Sequence, residues 1–316
     1  MSTTLTADDA TRAAAPEPVT EKRTRRRRIP GVGVVLGATW LLALIVLAFT
    51  ADYLPFIRLY DRPVRGAAAA AFGPGNDFWF GSDSLGRDVF ARCIYGAKTS
   101  LTISVASILV GTIVGGTLGV IAGYYRGWVD RVISIFTDAL LALPAIIIAS
   151  LLVGRFDVLA ASDADFLGFG FSWLTRTWSV TIVFSLLSIA PVARIVRAQT
   201  LSISQREYVL AARSLGAGTR RVLVREIVPN VVPALTAVIF TGIAILLAAE
   251  GGLAFLGYSV PDPPSWGSLI ADSREQIEEA WWMTIFPCVM LFLTVLSFNL
   301  VGDRVARRFD IREAAL

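Results

Sequence analysis

The chain has 316 residues, 55% hydrophobic and 17% charged, with a formal net charge of +4 and a mean hydropathy of +0.64, too apolar for an ordinary soluble domain of this length. It contains no histidine, which excludes HExxH zinc sites and Ser–His nucleophile pairs, and its two cysteines, Cys93 and Cys288, are too isolated for a CxxC motif. Neither of the two lysines, Lys22 and Lys98, follows a glycine, so the chain holds no GxxxxGK(S/T) phosphate loop.

Residues 1–28 are rich in Ala, Thr, Pro and charge and are expected to form a disordered basic tail. Six apolar runs follow, near 32–50, 99–122, 132–153, 178–198, 231–249 and 284–302. Each reaches the length of about 20 residues that a helix needs to cross a bilayer. The predicted fold class is all-α, a polytopic membrane protein with six transmembrane helices. The first run is longer than a signal-peptide core and no small-residue cleavage site follows it, so it reads as a retained anchor. The segments 123–131, 199–230 and 303–316 and the N-terminal tail carry an excess of arginine. The loops 154–177 and 250–283 hold only Arg155, Arg176 and Arg274 against nine acidic residues. The positive-inside rule therefore places both termini in the cytoplasm. Because Arg25 to Arg28 abut a span, they read as a topology and membrane-surface signal, and no nucleic-acid partner is expected. Both cysteines are expected to be free, buried thiols.

Between the first two spans, WFGSDSLGRDVFARCIYGAKTSL runs from Trp79 to Leu101. Ser82 or Asp83 is expected to cap a short helix there. For Asp83, Gly86, Arg87 and Asp88 two readings stay open: capping with a surface ion pair, or direct contact with substrate. In the second span, Gly115 and Gly119 form a GxxxG step suited to close helix packing. Asp138 falls within the third span, where a carboxylate is costly unless paired or facing water. It either lines a pathway or pairs with Arg194 or Arg197. No role is assigned to the loop 154–177.

The most patterned loop lies between the fourth and fifth spans and contains EYVLAARSLGAGTRRVLVREIVP, residues 207–229. Ser204 and Glu207 have the spacing of a capping box. Tyr208, Ala211, Ala212 and Leu215 form one apolar stripe on a short helix, and Gly216 is a natural left-handed stop after it. Val222, Leu223 and Ile227 give a second helix an apolar face, and Pro229 is expected to end that helix. In the last loop, Glu250 is the candidate for a gate or for contact with a partner. Trp281 and Trp282 read as interface anchors.

Four of these stretches, in this order, resemble the dipeptide and oligopeptide permeases of ATP-binding cassette (ABC) importers, the DppC/OppC type. Gly81, Asp83, Gly86, Arg87, Asp88, Arg92, Tyr95, Gly96 and Ala97 match its GTDxxGRDxxSRxxYGAR signature, and Ala211, Ala212, Gly216 and Pro229 its EAA loop. Residues 123–144 match a third pattern, and Glu250, Leu253, Phe255, Leu256, Gly257, Pro261, Pro264, Ser265, Trp266, Gly267, Ala280, Trp281 and Trp282 a fourth. The glutamate that names the EAA loop would fall at Leu210, and the 154–177 loop is longer than the family's. The resemblance implies a type I importer permease (MetI-like) bundle. Residues 29–98 would hold the first helix and an extracytoplasmic loop, 97–303 the permease domain with a coupling loop at 199–230, and 304–316 a cytoplasmic tail. It further implies that Glu207, Tyr208, Ala211, Ala212, Leu215, Gly216 and Pro229 dock on cytoplasmic ATPase subunits. The other implied partners are a second homologous permease, an extracytoplasmic substrate-binding protein and the lipid membrane. This chain would bind no cofactor, ATP and Mg being held by the ATPases. Nickel or glutathione import would carry the same motifs, and an ion-coupled secondary transporter is the remote alternative.

Overall fold

The computed structural model describes residues 31–63, 71–75, 77–161, 165–166, 169–170 and 175–313. The expected basic tail, 1–28, and much of the 154–177 loop lie outside the described residues. From Val32 onward the chain forms one compact unit. Its elements are almost all helical: α1 (Val32–Thr50), α2 (Val89–Tyr125), α3 (Gly127–Ala142), α4 (Ala145–Ala161), α5 (Arg176–Ile203), α6 (Glu207–Ser214), α7 (Thr219–Arg221), α8 (Val228–Leu253), α9 (Trp266–Ser273) and α10 (Trp282–Glu313). A two-residue β-ladder pairs Asp165–Phe166 with Phe169–Gly170.

Among the described residues, five helical runs are long and apolar enough to cross a membrane singly, those containing α1, α2, α5, α8 and α10. The predicted third span, 132–153, is broken: α3 and α4 meet at an angle of 88°. Pro144 explains the break. Its ring disfavours helical geometry at the preceding residue, and Leu143 is extended at φ −97°, ψ 142°. α4 then continues to Ala161, so the first third of the predicted 154–177 loop is helix. α10 likewise continues to Glu313, through most of the predicted 304–316 tail.

α2 begins ten residues before the predicted span because Asp88, and neither Ser82 nor Asp83, is its N-cap, its carboxylate accepting from the Phe90 N–H at 2.9 Å. The helix then packs along α5 through glycines spaced four apart. A Cβ added at Gly111 would meet Ser188 Cβ at 2.5 Å; at Gly115, the Ile189 carbonyl at 2.5 Å; at Gly119, the Ala193 carbonyl at 2.6 Å; and at Gly123, Thr200 Cβ at 2.7 Å. The GxxxG step is thus two rungs of a longer seam in which two backbones touch. Gly119→Val places a branched side chain against backbone and Val196, which cannot both retreat. We expect loss of folded, assembled protein, visible as a lower thermal midpoint, whereas Gly116→Ala, on the same helix with nothing within 4 Å of an added Cβ, perturbs no packing.

α1 packs on α10, with Gly37 beside Ser297 and the Trp40 Nε1–H donating to Thr294 Oγ1 at 3.1 Å. Cys93 is buried, Cys288 is half-buried, and both are free thiols.

Candidate functional site

The hairpin between α5 and α8 is the most distinctive surface. α6 is a two-turn helix closed by a Schellman motif: the Gly216 N–H donates to the Arg213 carbonyl at 2.9 Å, and the Ala217 N–H to the Ala212 carbonyl at 3.0 Å. Gly216 holds φ at +81°, the left-handed geometry expected of it. The expected capping box does not form. α5 runs to Ile203, which makes Ser204 its C-cap; Ser204 Oγ donates to the Leu201 carbonyl at 2.9 Å and accepts from Arg126 Nη2 at 3.1 Å. Arg206 is the N-cap residue of α6, two positions later, and Glu207 opens the helix, where a negative charge favours the dipole.

The second half of the hairpin also departs from expectation. There is no separate second helix ended by Pro229. Instead α7, a π-helical stretch at Val222–Ile227 and α8 form one continuous run. Pro229 stands in the first turn of α8, and the wide π turn before it absorbs the missing N–H and the bulk of the ring. Val222 and Ile227 are fully buried, as their apolar spacing suggested, and Leu223 packs against the same core.

These contacts hold the hairpin so that its apolar stripe faces outward. Val209 is the buried residue of α6. Leu215 is 89% exposed, Tyr208 and Ala211 are exposed, and Ala212 is half-buried. The Arg213 guanidinium lies 4.8 Å over the Tyr124 ring, tying α6 to the end of α2. A large apolar side chain held in full exposure on an anchored two-turn helix is suited to docking another protein.

At the other end of the bundle the chemistry is buried rather than displayed. Asp83 is 4% exposed. It accepts from the N–H groups of Leu85 (3.0 Å) and Arg87 (2.8 Å) and pairs with the guanidinium groups of Arg87 (2.7 Å) and Arg92. Of the two readings left open for this motif, capping with a surface ion pair does not describe Asp83, whose ion pairs are enclosed, and Gly86, at φ +72°, makes the turn inside the cluster. Burial pushes the Asp88 carboxyl above the usual range, against the opposing pull of the Phe90 and Ala91 N–H groups and of Arg58.

Glu250 is 2% exposed and so offers no surface to a partner in this conformation. It accepts from Ser265 Oγ, from the Gly267 N–H at 3.2 Å and from Ser100 Oγ at 3.4 Å, which joins α8, α9 and α2. Ser265 also caps α9 in a reciprocal box with Ser268. Trp266, fully buried, donates its indole N–H to the Cys93 carbonyl at 2.9 Å. Of the two predicted interface anchors only Trp281 is exposed; Trp282 is buried and donates to the Ser82 carbonyl at 3.0 Å.

Residues 115–313 match the family described as "Binding-protein-dependent transport system inner membrane component". The chain belongs to this family. It is 36% identical, over 87% of its length and 86% of the relative's, to the glutathione transport system permease protein GsiD of Pectobacterium atrosepticum. It is 31% identical, over 96% and 92%, to the dipeptide transport system permease protein DppC of Alkalihalophilus pseudofirmus. The inward-facing MetNI methionine ABC transporter shares its fold, with a TM-score of 0.57 at 16% identity over 70% of this chain and 97% of that one. An amino acid ABC transporter does so with a TM-score of 0.52 at 16% identity, over 69% and 94%. The permease is thus a multi-pass membrane protein with a MetI-like bundle.

In the permease, Asp138 pairs with Arg194, Nη2 to Oδ1 at 2.6 Å, with both side chains 60% exposed. Arg197, the other partner considered, pairs with Asp130 (Nη2 to Oδ2, 2.7 Å). An apolar cavity of ≈ 590 Å³ lies between the α3–α4 elbow, α5 and α8, lined by residues such as Leu141, Ile146, Phe184, Pro191 and Ile245; Asp138 is not among them. Among the described residues no group of three or more His, Cys, Asp or Glu side chains is gathered to hold a metal ion. Sequence reasoning singled out Glu250 but missed its partners Ser100 and Ser265. The Ser-x-x-Ser spacing at 265–268, a capping-box variant, was the available signal.

Proposed function

We propose that this permease forms half of the translocation pathway of an ATP-driven importer for di- and oligopeptides and couples to cytoplasmic ATPase subunits through the 204–229 hairpin. One observation carries the coupling role: Leu215, 89% exposed, at the end of a helix held by buried Val209 and by Arg213 over Tyr124. The peptide class is supported by the relatives named for dipeptide and for glutathione transport. Glutathione is itself a tripeptide, and the 36% identity to its permease keeps it as the second reading. The machine also requires a second homologous permease, which would close the open side of the apolar cavity, and an extracytoplasmic binding protein. ATP and Mg would be bound by the ATPases and none by this chain. In this mechanism ATP binding draws the ATPases together and moves the hairpin. Because the hairpin continues into α8 without a break, displacement there is passed along α8 to the Glu250 junction. The transition is a rigid-body switch between two packed endpoints.

The division of labour is tested by purifying this chain alone in lipid. It should hydrolyse no ATP, and hydrolysis that survives removal of contaminating ATPases contradicts the proposal.

Orientation follows from the same reading, with the hairpin and both termini cytoplasmic. In a version lacking Cys93 and Cys288, Glu275→Cys should react with impermeant thiol reagents added to intact cells, and Ser214→Cys should react only after permeabilisation. Both positions are exposed, and the reverse pattern would invert the topology. Ser273, 1% exposed, is unsuitable for such a test.

A further inference from the structure

A pocket of ≈ 270 Å³ opens beside the Asp83 cluster, between the turn that precedes α2 and the wall made by α9 and the residues after it. Asp83 and Arg87 from the turn and Arg92 from α2 line one side, Asp272 of α9 and Gln276 beyond it the other. The pocket's two guanidinium groups are balanced in formal charge by Asp83 and Asp272, but their hydrogen-bond donors are not matched by acceptors. One carboxylate, Asp83, is shared by two guanidinium groups, through Arg87 Nε at 2.7 Å and Arg92 Nη1. It also accepts two backbone N–H bonds, from Leu85 and Arg87. Little acceptor capacity remains on it.

The unused donors are correspondingly numerous. Arg92 Nε is buried and has no partner. Neither Nη atom of Arg87 nor Nη2 of Arg92 makes a hydrogen bond among the described residues. The side chains are well enclosed, Arg92 being 8% and Arg87 27% exposed, so water screens their charge poorly. On α9, Asp272 is exposed and enters no ion pair among the described residues. The pocket thus holds unused guanidinium N–H donors on one side and, facing Arg92 from the other, a carboxylate with no hydrogen-bonded partner among the described residues.

We propose that this pocket binds the two ionic ends of a small zwitterionic peptide, its carboxylate on Arg87 and Arg92 and its ammonium on Asp272. A guanidinium presents paired N–H donors that match a carboxylate in a way no single ammonium can. The volume lies just below the range of about 300–1,000 Å³ typical of pockets for drug-sized ligands, so the occupant is of dipeptide size. The inference rests on the peptide reading above and adds a subsite within this single subunit, away from the apolar cavity. A carboxylate side chain of the binding protein has the same chemistry as the peptide's carboxylate, and the test separates the two sources.

The test uses the purified full chain in lipid nanodiscs, with isotope-labelled glycylglycine, glycylglycinamide (no carboxylate) and acetate (no ammonium) as probes in equilibrium dialysis. Glycylglycine should be retained, and glycylglycinamide should bind at least about tenfold more weakly. Arg87→Gln should weaken both glycylglycine and acetate. Asp272→Asn should weaken glycylglycine without weakening acetate, because it removes a negative charge that faces Arg92. The proposal is overturned if glycylglycine is not retained, if acid and amide bind alike, or if Asp272→Asn has no effect on glycylglycine. It is equally overturned if only capture of the binding protein responds to Arg87→Gln, which would assign the carboxylate to that protein. Dipeptide uptake by the complete transporter separates the two readings. Uptake without binding here sinks this inference alone, and binding here without uptake sinks the transport reading alone.

Discussion

Leu215→Asp leaves the permease folded and in the membrane while ATP-dependent uptake falls to background. At 89% exposure the leucine contributes little to the stability of this chain, and a surface substitution there should shift it by no more than about 0.5 kcal/mol. If the same side chain is buried against an ATPase, a charge at that position desolvates without a partner, and affinity should fall by about tenfold or more. Gly216→Val tests the hairpin by a different route. Nothing lies within 4 Å of an added Cβ, so the penalty is purely the left-handed backbone at φ +81°. That penalty is about 1–2 kcal/mol for an ordinary residue. Asparagine tolerates this geometry better, so Gly216→Asn should retain most of the uptake that Gly216→Val loses. The measurement is uptake per assembled complex, with assembly read by pull-down of the ATPase subunits. If both Leu215→Asp and Gly216→Val import normally per complex, the hairpin is only a linker.

Asp83→Ala should unlock the opposite end of the bundle. It strands two enclosed guanidinium groups, and removing one partner of a buried ionic cluster typically costs about 3–5 kcal/mol. A local reporter is available in Cys93, which is fully buried one residue from Arg92. In a Cys288→Ser background, Cys93 should be unreactive in the parent and react readily in Asp83→Ala. Adding Arg92→Met should restore part of the protection, because an apolar side chain no longer needs the carboxylate. A protected Cys93 and an unshifted thermal midpoint in Asp83→Ala would mean that the cluster is an ordinary solvated ion pair.

The spans were legible because a 20-residue apolar run has few other uses, and the left-handed Gly216 because an apolar stripe that stops at glycine has a specific geometric meaning. The prolines were not legible in the same way. Pro191, Pro233 and Pro287 all lie inside continuous helices, yet Pro144 breaks the chain by 88°. Each removes one N–H, and whether the helix kinks, widens or breaks depends on what the neighbouring helices offer the freed carbonyl. Pro229 is an instance of widening, visible only through the π turn that precedes it. The charged motif at 83–92 misled in another way. Asp and Arg read as surface residues by default, and only the fold shows that the chain turns back at Gly86 and encloses them. Glu250 was nominated for a gate or partner contact, and its enclosure was not legible because its partners lie 15 and 150 residues away in sequence.

The central claim is that this permease carries cargo only as part of an ATP-driven assembly. The most direct measurement is uptake of a labelled dipeptide into proteoliposomes containing the reconstituted transporter, with ATP on the ATPase side and binding protein on the other. Uptake should require ATP, the binding protein and this chain together, and should be lost with Leu215→Asp. Uptake that continues without ATP or binding protein, driven by an ion gradient alone, would contradict it.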